Sequence, residues 1–396
     1  MKPNVLHIID SFEPGGTERQ AVQLVGLLHK SERYRVHLAC LNNRGILRDE
    51  AERIGLGEIA EYPLNSFYDR NFLKQLRRCI RFLKENEIDV VHSHDFYSNI
   101  FGMIAAWLAH VPVRIASKRE TEGFRSSRQK RMERCAYALA HSVFTNADAV
   151  RNQLIKDGVR AEKLTTVYNG LDMSRVAPQP GLQREAMLAM VNLPQQPLER
   201  LFVTIVANLQ HAVKDHPTFL RAAARVREAV PQASFVLAGE GALTNELRAL
   251  AKELGIDRDV FFVGQCRRIA ELLAVSDVCV LSSKAEGFSN SILEYMAAAR
   301  SVVVTDVGGA REAVIDGETG FIVPASDDET MAARIITLLR EPDRARAMGQ
   351  RGRLIVEEKF SCQAQTERTA ALYDSLLAGP AQSVDLALKN LHGKRA

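Results

Sequence analysis

Residues 278–297 read Val-Cys-Val-Leu-Ser-Ser-Lys-Ala-Glu-Gly-Phe-Ser-Asn-Ser-Ile-Leu-Glu-Tyr-Met-Ala. Val278–Leu281 is a short apolar run bounded by polar residues, the signature of a strand buried on both faces of a parallel sheet. A loop of small and polar residues follows. From Asn290 onward Ile292, Leu293 and Met296 recur at helical spacing. The stretch is therefore strand, loop, helix. Glu286 lies in the loop and Glu294 in the second helical turn. Ser289 is placed to cap the helix, and the free amides around Asn290 and Ser291 can hold a phosphate. Two carboxylates thus flank one anion-binding helix start.

The same alternation extends outward in both directions. Downstream, 301–305 and 321–323 read as strands; upstream, 201–207, 234–238 and 260–263 do, with helices between them. A break rich in proline and glycine spans 177–200, with Pro178, Pro180, Gly181, Pro194 and Pro197. Before it, strands are expected at 5–9, 36–41, 89–92, 113–117, 142–145 and 164–167, again separated by helical stretches such as 17–30 and 71–85. This βαβα pattern implies two doubly wound α/β domains. They are expected at 1–185 and 198–360, followed by a C-terminal helix and tail at 361–396. Two such sheets would present their carboxyl ends across one cleft, which suits a two-substrate reaction.

The chain has 396 residues and a formal charge of +4. Residues 1–190 carry 28 Lys and Arg against 22 Asp and Glu, and the remainder 24 against 26, so the basic half is the first. Such a balance favours a phosphate-bearing or membrane-bound partner and is too weak and dispersed for nucleic acid. The six cysteines are scattered without a CxxC pair, which argues against zinc and disulfides and for a reducing cytosol. No apolar run is long enough to span a bilayer, and the first ten residues read as a strand rather than a signal peptide. The expected location is cytoplasmic, with peripheral contact at the inner membrane face as an option.

Other local features carry weaker signals. Gly15-Gly16 follow the first strand, where the backbone can approach a phosphate and Thr17 can cap a helix; a plain tight turn weighs equally. Gly239-Glu240-Gly241 stands between a strand and a helix, as a nucleotide-binding turn or a simple chain reversal. Lys214 follows the first strand of the second half; a lysine there is usually a solvated surface residue. His92 and His94 share one face of a strand end. The stretch 114–134 is densely basic, with Arg119, Arg128, Lys130 and Arg131 as candidate contacts for an acceptor phosphate or an anionic membrane, and Gly123-Phe124 suggests a mobile loop. Asp257-Arg258-Asp259 has the form of an acidic metal motif but reads as the entry to a strand.

EGFSNSILEYMA at 286–297 resembles the paired-glutamate motif of the family-4 retaining glycosyltransferases of group 1, which have the GT-B fold. DVGGAREAVIDGETGFIVP at 306–324, LAGEGALTNEL at 237–247, VYNGLD at 167–172, HSH at 92–94 and GGTERQ at 15–20 add to the likeness, in the family's order over nearly the whole chain. The resemblance implies a GT-B fold of two Rossmann-like domains facing a central cleft. It also implies transfer of a sugar from a UDP- or GDP-sugar to a hydroxyl of a glycan or lipid-linked acceptor, with retention of configuration and no metal or other cofactor. By it, His94 contacts the transferred sugar and Glu286 binds it. Glu294 takes the donor ribose, while Phe288, Ser289 and Asn290 line the sugar and diphosphate. Lys214 neutralises the leaving diphosphate. Gly15, Gly16, Gly239 and Glu240 approach the donor. Asn208 stands where the family often has arginine, so one charge is missing. A nucleotide-sugar epimerase or hydrolase on the same fold, and a non-catalytic sugar-nucleotide binding protein, are the rival readings; Asn208 favours the latter.

Overall fold

The short apolar runs become parallel strands because side chains on both faces of such a sheet are covered by helices. The computed structural model describes residues 2–64, 66–121, 126–195 and 199–379. Its strands are β1 (Asn4–Ile9), β2 (Arg35–Cys40), β3 (Ala60–Glu61), β4 (Val90–His94), β5 (Val113–Lys118), β6 (Ser142–Thr145) and β7 (Leu164–Thr166). After the break come β8 (Leu201–Val206), β9 (Ala233–Ala238), β10 (Val260–Gly264), β11 (Val278–Leu281), β12 (Ser301–Thr305) and β13 (Gly320–Val323).

Two compact units result. The first takes Met1–Arg119, Gly123–Gly170 and the chain from Cys362; the second takes Leu171–Ser361 with Glu120–Glu122. The expected boundaries move accordingly. The first unit ends at Gly170 rather than at 185, and the C-terminal helix Cys362–Leu377 joins it instead of standing apart. The reason is burial: Ala370 and Tyr373 of that helix pack with β1, β2 and the helix Gly16–Lys30 in one apolar core. Polar contacts reinforce it, with Gln365 donating to Gln20 at 3.2 Å and the Tyr34 hydroxyl donating to Asp374 at 2.9 Å.

The first sheet runs β3-β2-β1-β4-β5-β6-β7 and the second β10-β9-β8-β11-β12-β13, and every registered pair is parallel. Strand order reverses at β1/β4 in the first sheet and at β8/β11 in the second. Ligands of open α/β sheets bind beyond the carboxyl ends of the strands at such a reversal. At the first, Ile9 pairs with His94 and His7 with His92. At the second, Val278 pairs with Val203 and Cys279 with Thr204. β12 is buried throughout, and so is β1 despite containing His7.

Candidate active site

In the second unit, the loops after β8 and β11 meet. Lys214 ends a short 3₁₀ turn, Ala212–Lys214, and its ammonium lies 2.6 Å from Glu286 Oε1. The Ser283 hydroxyl donates to the same oxygen at 2.6 Å. The two loops are also stitched through backbone: the Lys284 amide donates to Val213 O at 2.8 Å and the Ser282 hydroxyl to Lys214 O at 2.8 Å. Both ion-pair side chains are mostly buried, so the pair is held by the fold rather than being a chance surface contact. Gly308 fixes the Glu286 backbone from a third loop. At φ +53° it has a left-handed conformation, and a Cβ there would stand 2.3 Å from Glu286 O.

The helix after this loop is Asn290–Ala297. Ser289 holds the N-cap position, but its hydroxyl makes no capping bond. Ser291 instead donates to Val206 O at 2.8 Å, and the Tyr295 hydroxyl accepts from the Val206 amide at 2.6 Å. The helix is thus tied to the end of β8. Glu294 lies 3.9 Å from Arg175, with little of its side chain exposed. Phe288 is not free to line a ligand along its whole ring: it is 5% exposed and packs on Phe360 at 5.2 Å between centroids.

Asn208 is exposed and accepts from the Gln210 amide at 3.2 Å, closing a local turn. Gly239 and Gly241 serve a close approach of two loops. A Cβ on Gly239 would stand 2.0 Å from Ala207 O, and one on Gly241 2.1 Å from the Leu209 carbonyl carbon. Glu240 between them is exposed and accepts from the Gln265 amide at 3.2 Å. The acidic triplet is structural at Asp259, which lies 2.7 Å from Arg227 and 3.7 Å from Arg200.

In the first unit, His94 ends β4 and is 1% exposed. Its Nε2 lies 2.8 Å from His7 Nδ1. The centroids of these rings are 5.1 Å apart and their planes differ by 12°. With so short a nitrogen–nitrogen distance, the rings must lie edge to edge in nearly one plane. His92 stacks on His94 at 4.3 Å and bonds Tyr373 Oη at 2.6 Å and Ser117 Oγ at 2.8 Å. His92 is thus the packed, supporting member. Burial keeps all three imidazoles neutral: His7 falls to about 3, helped by the Arg119 charge, and His92 and His94 fall well below the ordinary value. Their ring nitrogens gather within 4.8 Å, as metal ligands would. Two imidazoles on one tetrahedral ion stand about 3.3 Å apart, however, and share it along their in-plane lone pairs. The 2.8 Å contact is a hydrogen bond between His7 and His94, and the His92–His94 stack puts those lone pairs in separate planes.

Around His94 lie groups that the sequence reading did not single out. Asp10, after β1, accepts from the Ser98 amide at 2.6 Å and the Tyr97 amide at 3.3 Å. Burial, then the neighbouring Asp95 charge, raises it to about 7. Asp95 caps the helix Phe96–Leu108 at φ +98°, a strained conformation for a residue with a Cβ. Gly15 and Gly16 open the helix Gly16–Lys30, with Gly15 as N-cap, so Thr17 sits inside the helix and does not cap it. A Cβ on Gly15 would stand 2.1 Å from Glu18 Oε2, so the Glu18 carboxyl covers this turn. Burial raises Glu18 to about 7. Glu18 lies within the quoted GGTERQ motif, but nothing in its spacing announces that placement.

Arg119 departs from the expected surface role. Its guanidinium is enclosed, donates to Asn169 Oδ1 at 2.8 Å, and has Nε and Nη2 unpartnered among the described residues. Burial lowers it to about 10, so it remains a cation. Arg128, Lys130 and Arg131 are exposed on the helix Ser127–Leu139, whose buried face carries Glu133, Ala136 and Tyr137. The expected loop at Gly123-Phe124 lies outside the described residues. No helix of the described residues is long and apolar enough to cross a membrane.

Residues 193–355 match the family model described as glycosyl transferases group 1, and residues 14–175 that of glycosyltransferase family 4. The putative glycosyltransferase EpsD of Bacillus subtilis is 28% identical over 324 residues, covering 78% of this chain and 82% of that protein. The N-acetylgalactosamine-N,N'-diacetylbacillosaminyl-diphospho-undecaprenol 4-alpha-N-acetylgalactosaminyltransferase of Campylobacter jejuni is 26% identical over 343 residues, covering 84% and 89%. Among solved structures, Anabaena Alr3699/HepE in complex with UDP and glucose superposes with a TM-score of 0.82 at 20% identity, over 94% of this chain and 100% of that one. That likeness carries the two-unit GT-B fold. The two family models follow each other along the chain in the order of its two units, and the chain belongs to the group 1, family 4 glycosyltransferases.

Proposed function

We propose that the protein transfers a hexose or acetamido-hexose from a UDP- or GDP-sugar to a hydroxyl of a glycan or lipid-linked acceptor, with retention of anomeric configuration. The observation that carries this reading is the Lys214–Glu286 pair at the strand-order reversal of the second sheet. Lys214 has three N–H donors, so it can keep Glu286 and still meet a diphosphate oxygen. As the bond from the anomeric carbon to the diphosphate breaks, negative charge grows on the leaving oxygen and Lys214 stabilises it. The acceptor oxygen bonds to the anomeric carbon on the face the diphosphate leaves, and its proton passes to the leaving phosphate. Glu286 then orients sugar hydroxyls, Glu294 takes the ribose, and His94 in the first unit meets the transferred sugar. Asn208 supplies no charge, so leaving-group stabilisation rests on Lys214 and helix amides, without a divalent metal.

The names of the relatives support glycan assembly as the setting. The Campylobacter enzyme is named for a diphospho-undecaprenol substrate, and HepE is described with UDP and glucose. The exposed Arg128, Lys130 and Arg131 suit an anionic acceptor or membrane surface on the first unit. A calorimetric panel of UDP-, GDP- and ADP-sugars tests the donor, with Glu294→Ala expected to weaken the best of them by roughly tenfold or more, the scale of a lost charged hydrogen bond. Product analysis by NMR then reads the anomeric configuration. Consumption of donor at the same rate with and without acceptor identifies a hydrolase or epimerase instead. Binding without any turnover identifies a sugar-nucleotide binding protein.

A further inference from the structure

His94 stands at the end of a continuous chain of hydrogen bonds. Ser117 Oγ lies 2.8 Å from His92 Nε2, and His92 Nδ1 lies 2.6 Å from Tyr373 Oη. Tyr373 Oη lies 3.4 Å from His7 Nε2, and His7 Nδ1 lies 2.8 Å from His94 Nε2. The remaining ring nitrogen, His94 Nδ1, is buried and has no partner among the described residues. Metal chemistry does not explain the cluster, for the geometric reasons given above.

We propose that Tyr373, reaching this cluster from the C-terminal helix, is a positioning residue that fixes the tautomer of His94, so that His94 presents a bare Nδ1 lone pair to a substrate hydroxyl. The proposal deepens the reading of His94 as the residue that meets the sugar, and rests on it. A neutral imidazole carries one N–H and one lone pair, so each link along the chain dictates the next. Burial holds all three rings neutral, which leaves two consistent arrangements of protons. The single phenol proton selects between them. A phenol donates better than it accepts, and its shorter contact is the 2.6 Å one to His92 Nδ1. His92 then carries its proton on Nε2 and donates to Ser117. The phenol oxygen accepts from His7 Nε2–H, leaving His7 Nδ1 to accept from His94 Nε2–H. His94 Nδ1 is left as an acceptor.

The consequence is chemical selectivity. A bare lone pair binds an O–H or N–H donor and rejects the acceptor-only oxygens of a phosphate or carboxylate. In the opposite arrangement His94 would present an N–H and could hold a diphosphate oxygen. Tyr373 thereby reserves His94 for a hydroxyl.

The test is NMR of the full chain with ¹⁵N-labelled histidine, which distinguishes protonated from bare ring nitrogens; His94→Gln assigns the signal. The unliganded wild type is expected to show one His94 tautomer, with Nε2 protonated and Nδ1 bare. Tyr373→Phe should give His94 a comparable share of both tautomers. Ser117→Ala, at the other end of the chain, should shift His94 towards a protonated Nδ1, and it serves if Tyr373→Phe does not fold. A wild-type His94 protonated on Nδ1, or an unchanged His94 tautomer in the folded variants, overturns the proposal. Where sugar transfer is measured, Tyr373→Phe should lower kcat/KM severalfold in the wild type and add no loss in the His94→Gln background. An equal loss in both backgrounds marks Tyr373 as merely structural. The NMR result needs no turnover, so failure of the transferase reading stays separate from failure of this one.

Discussion

The double substitution Asp10→Asn, Glu18→Gln should make the first unit acid-sensitive. Asp10 and Glu18 rise to about 7 in the folded protein, from ordinary values of 3.8 and 4.5. In both, burial is the main cause. Between those limits the native state holds protons that the unfolded chain has released, so each group adds stability as pH falls and loses it as pH rises through its folded value. From about pH 7.5 to about pH 5.5, each contributes roughly 2 kcal/mol, or roughly 4 kcal/mol together. The three buried histidines act with the opposite sign. Their folded values lie below the ordinary 6.5, so the unfolded chain takes up protons that the native state refuses. Over the same span the three histidines therefore oppose the carboxyl terms with a cost of similar order.

The carboxyl terms thus offset much of the histidine cost in the wild type, and the lowered values of His37 and His141 in the same unit add an acid cost common to wild type and variant. The double variant lacks the carboxyl terms and should lose roughly 4 kcal/mol more than the wild type over this span. Trp107, the single tryptophan, lies on the helix Phe96–Leu108 of the first unit. Its fluorescence in urea titrations therefore follows the unit that contains all five groups. If the double variant tracks the wild type to within about 1 kcal/mol over this range, the two carboxyls are ionised in the native state and the reasoning fails.

Lys214→Ala should lower kcat roughly a hundredfold while donor affinity falls less, because its contact strengthens as the diphosphate leaves; Lys252→Ala, exposed on the helix Thr244–Glu253, should do little. Steady-state kinetics on both variants decide this, and equal small effects would falsify the assignment of Lys214. Charge reversal at Arg128, Lys130 and Arg131 should weaken binding to anionic vesicles or turnover of a lipid-linked acceptor and spare donor binding, as read by sedimentation and calorimetry. Activity should persist in EDTA; a loss restored by magnesium or manganese would assign a metal to the leaving group.

Much of the fold is legible because buried parallel strands are written as unbroken apolar runs, and β8, β11 and β12 fall where those runs lie. β3, with two residues, is too short to leave a pattern. The C-terminal helix is visible as a helix, but its return to the first unit depends on Tyr373 and Ala370 meeting strands more than 270 residues earlier. Local rules also mislead at helix starts. Thr17 and Ser289 have the right chemistry for caps, yet Gly15 takes one cap position and the Ser289 hydroxyl makes no cap bond at the other. Arg119 looks like one more member of a basic surface because charge density along a sequence cannot show which guanidinium the fold encloses. Asp10, Glu18 and Tyr373 were invisible for the related reason that their roles arise from burial and from partners distant in the chain.

The two strand-order reversals are built from opposite electrostatics. In the second unit the loops beyond β8 and β11 hold a formed ion pair, Lys214 with Glu286. Such a site is built to answer charge that develops on a ligand. In the first unit the ends of β1 and β4 hold imidazoles kept neutral and carboxyls moved up to about 7, with Arg119 as an enclosed cation. Removing charge turns these side chains into directional donors and acceptors, whose selectivity depends on where each proton sits. Hydroxyl groups are recognised through that direction, whereas a diphosphate is recognised through charge. The proposed division of work, with charge stabilisation in the second unit and hydroxyl recognition in the first, therefore follows from how each sheet end treats its ionisable residues. It also predicts where damage shows: loss of Lys214 should appear in kcat, and loss of order among His7, His92 and Tyr373 as a severalfold fall in kcat/KM that depends on His94.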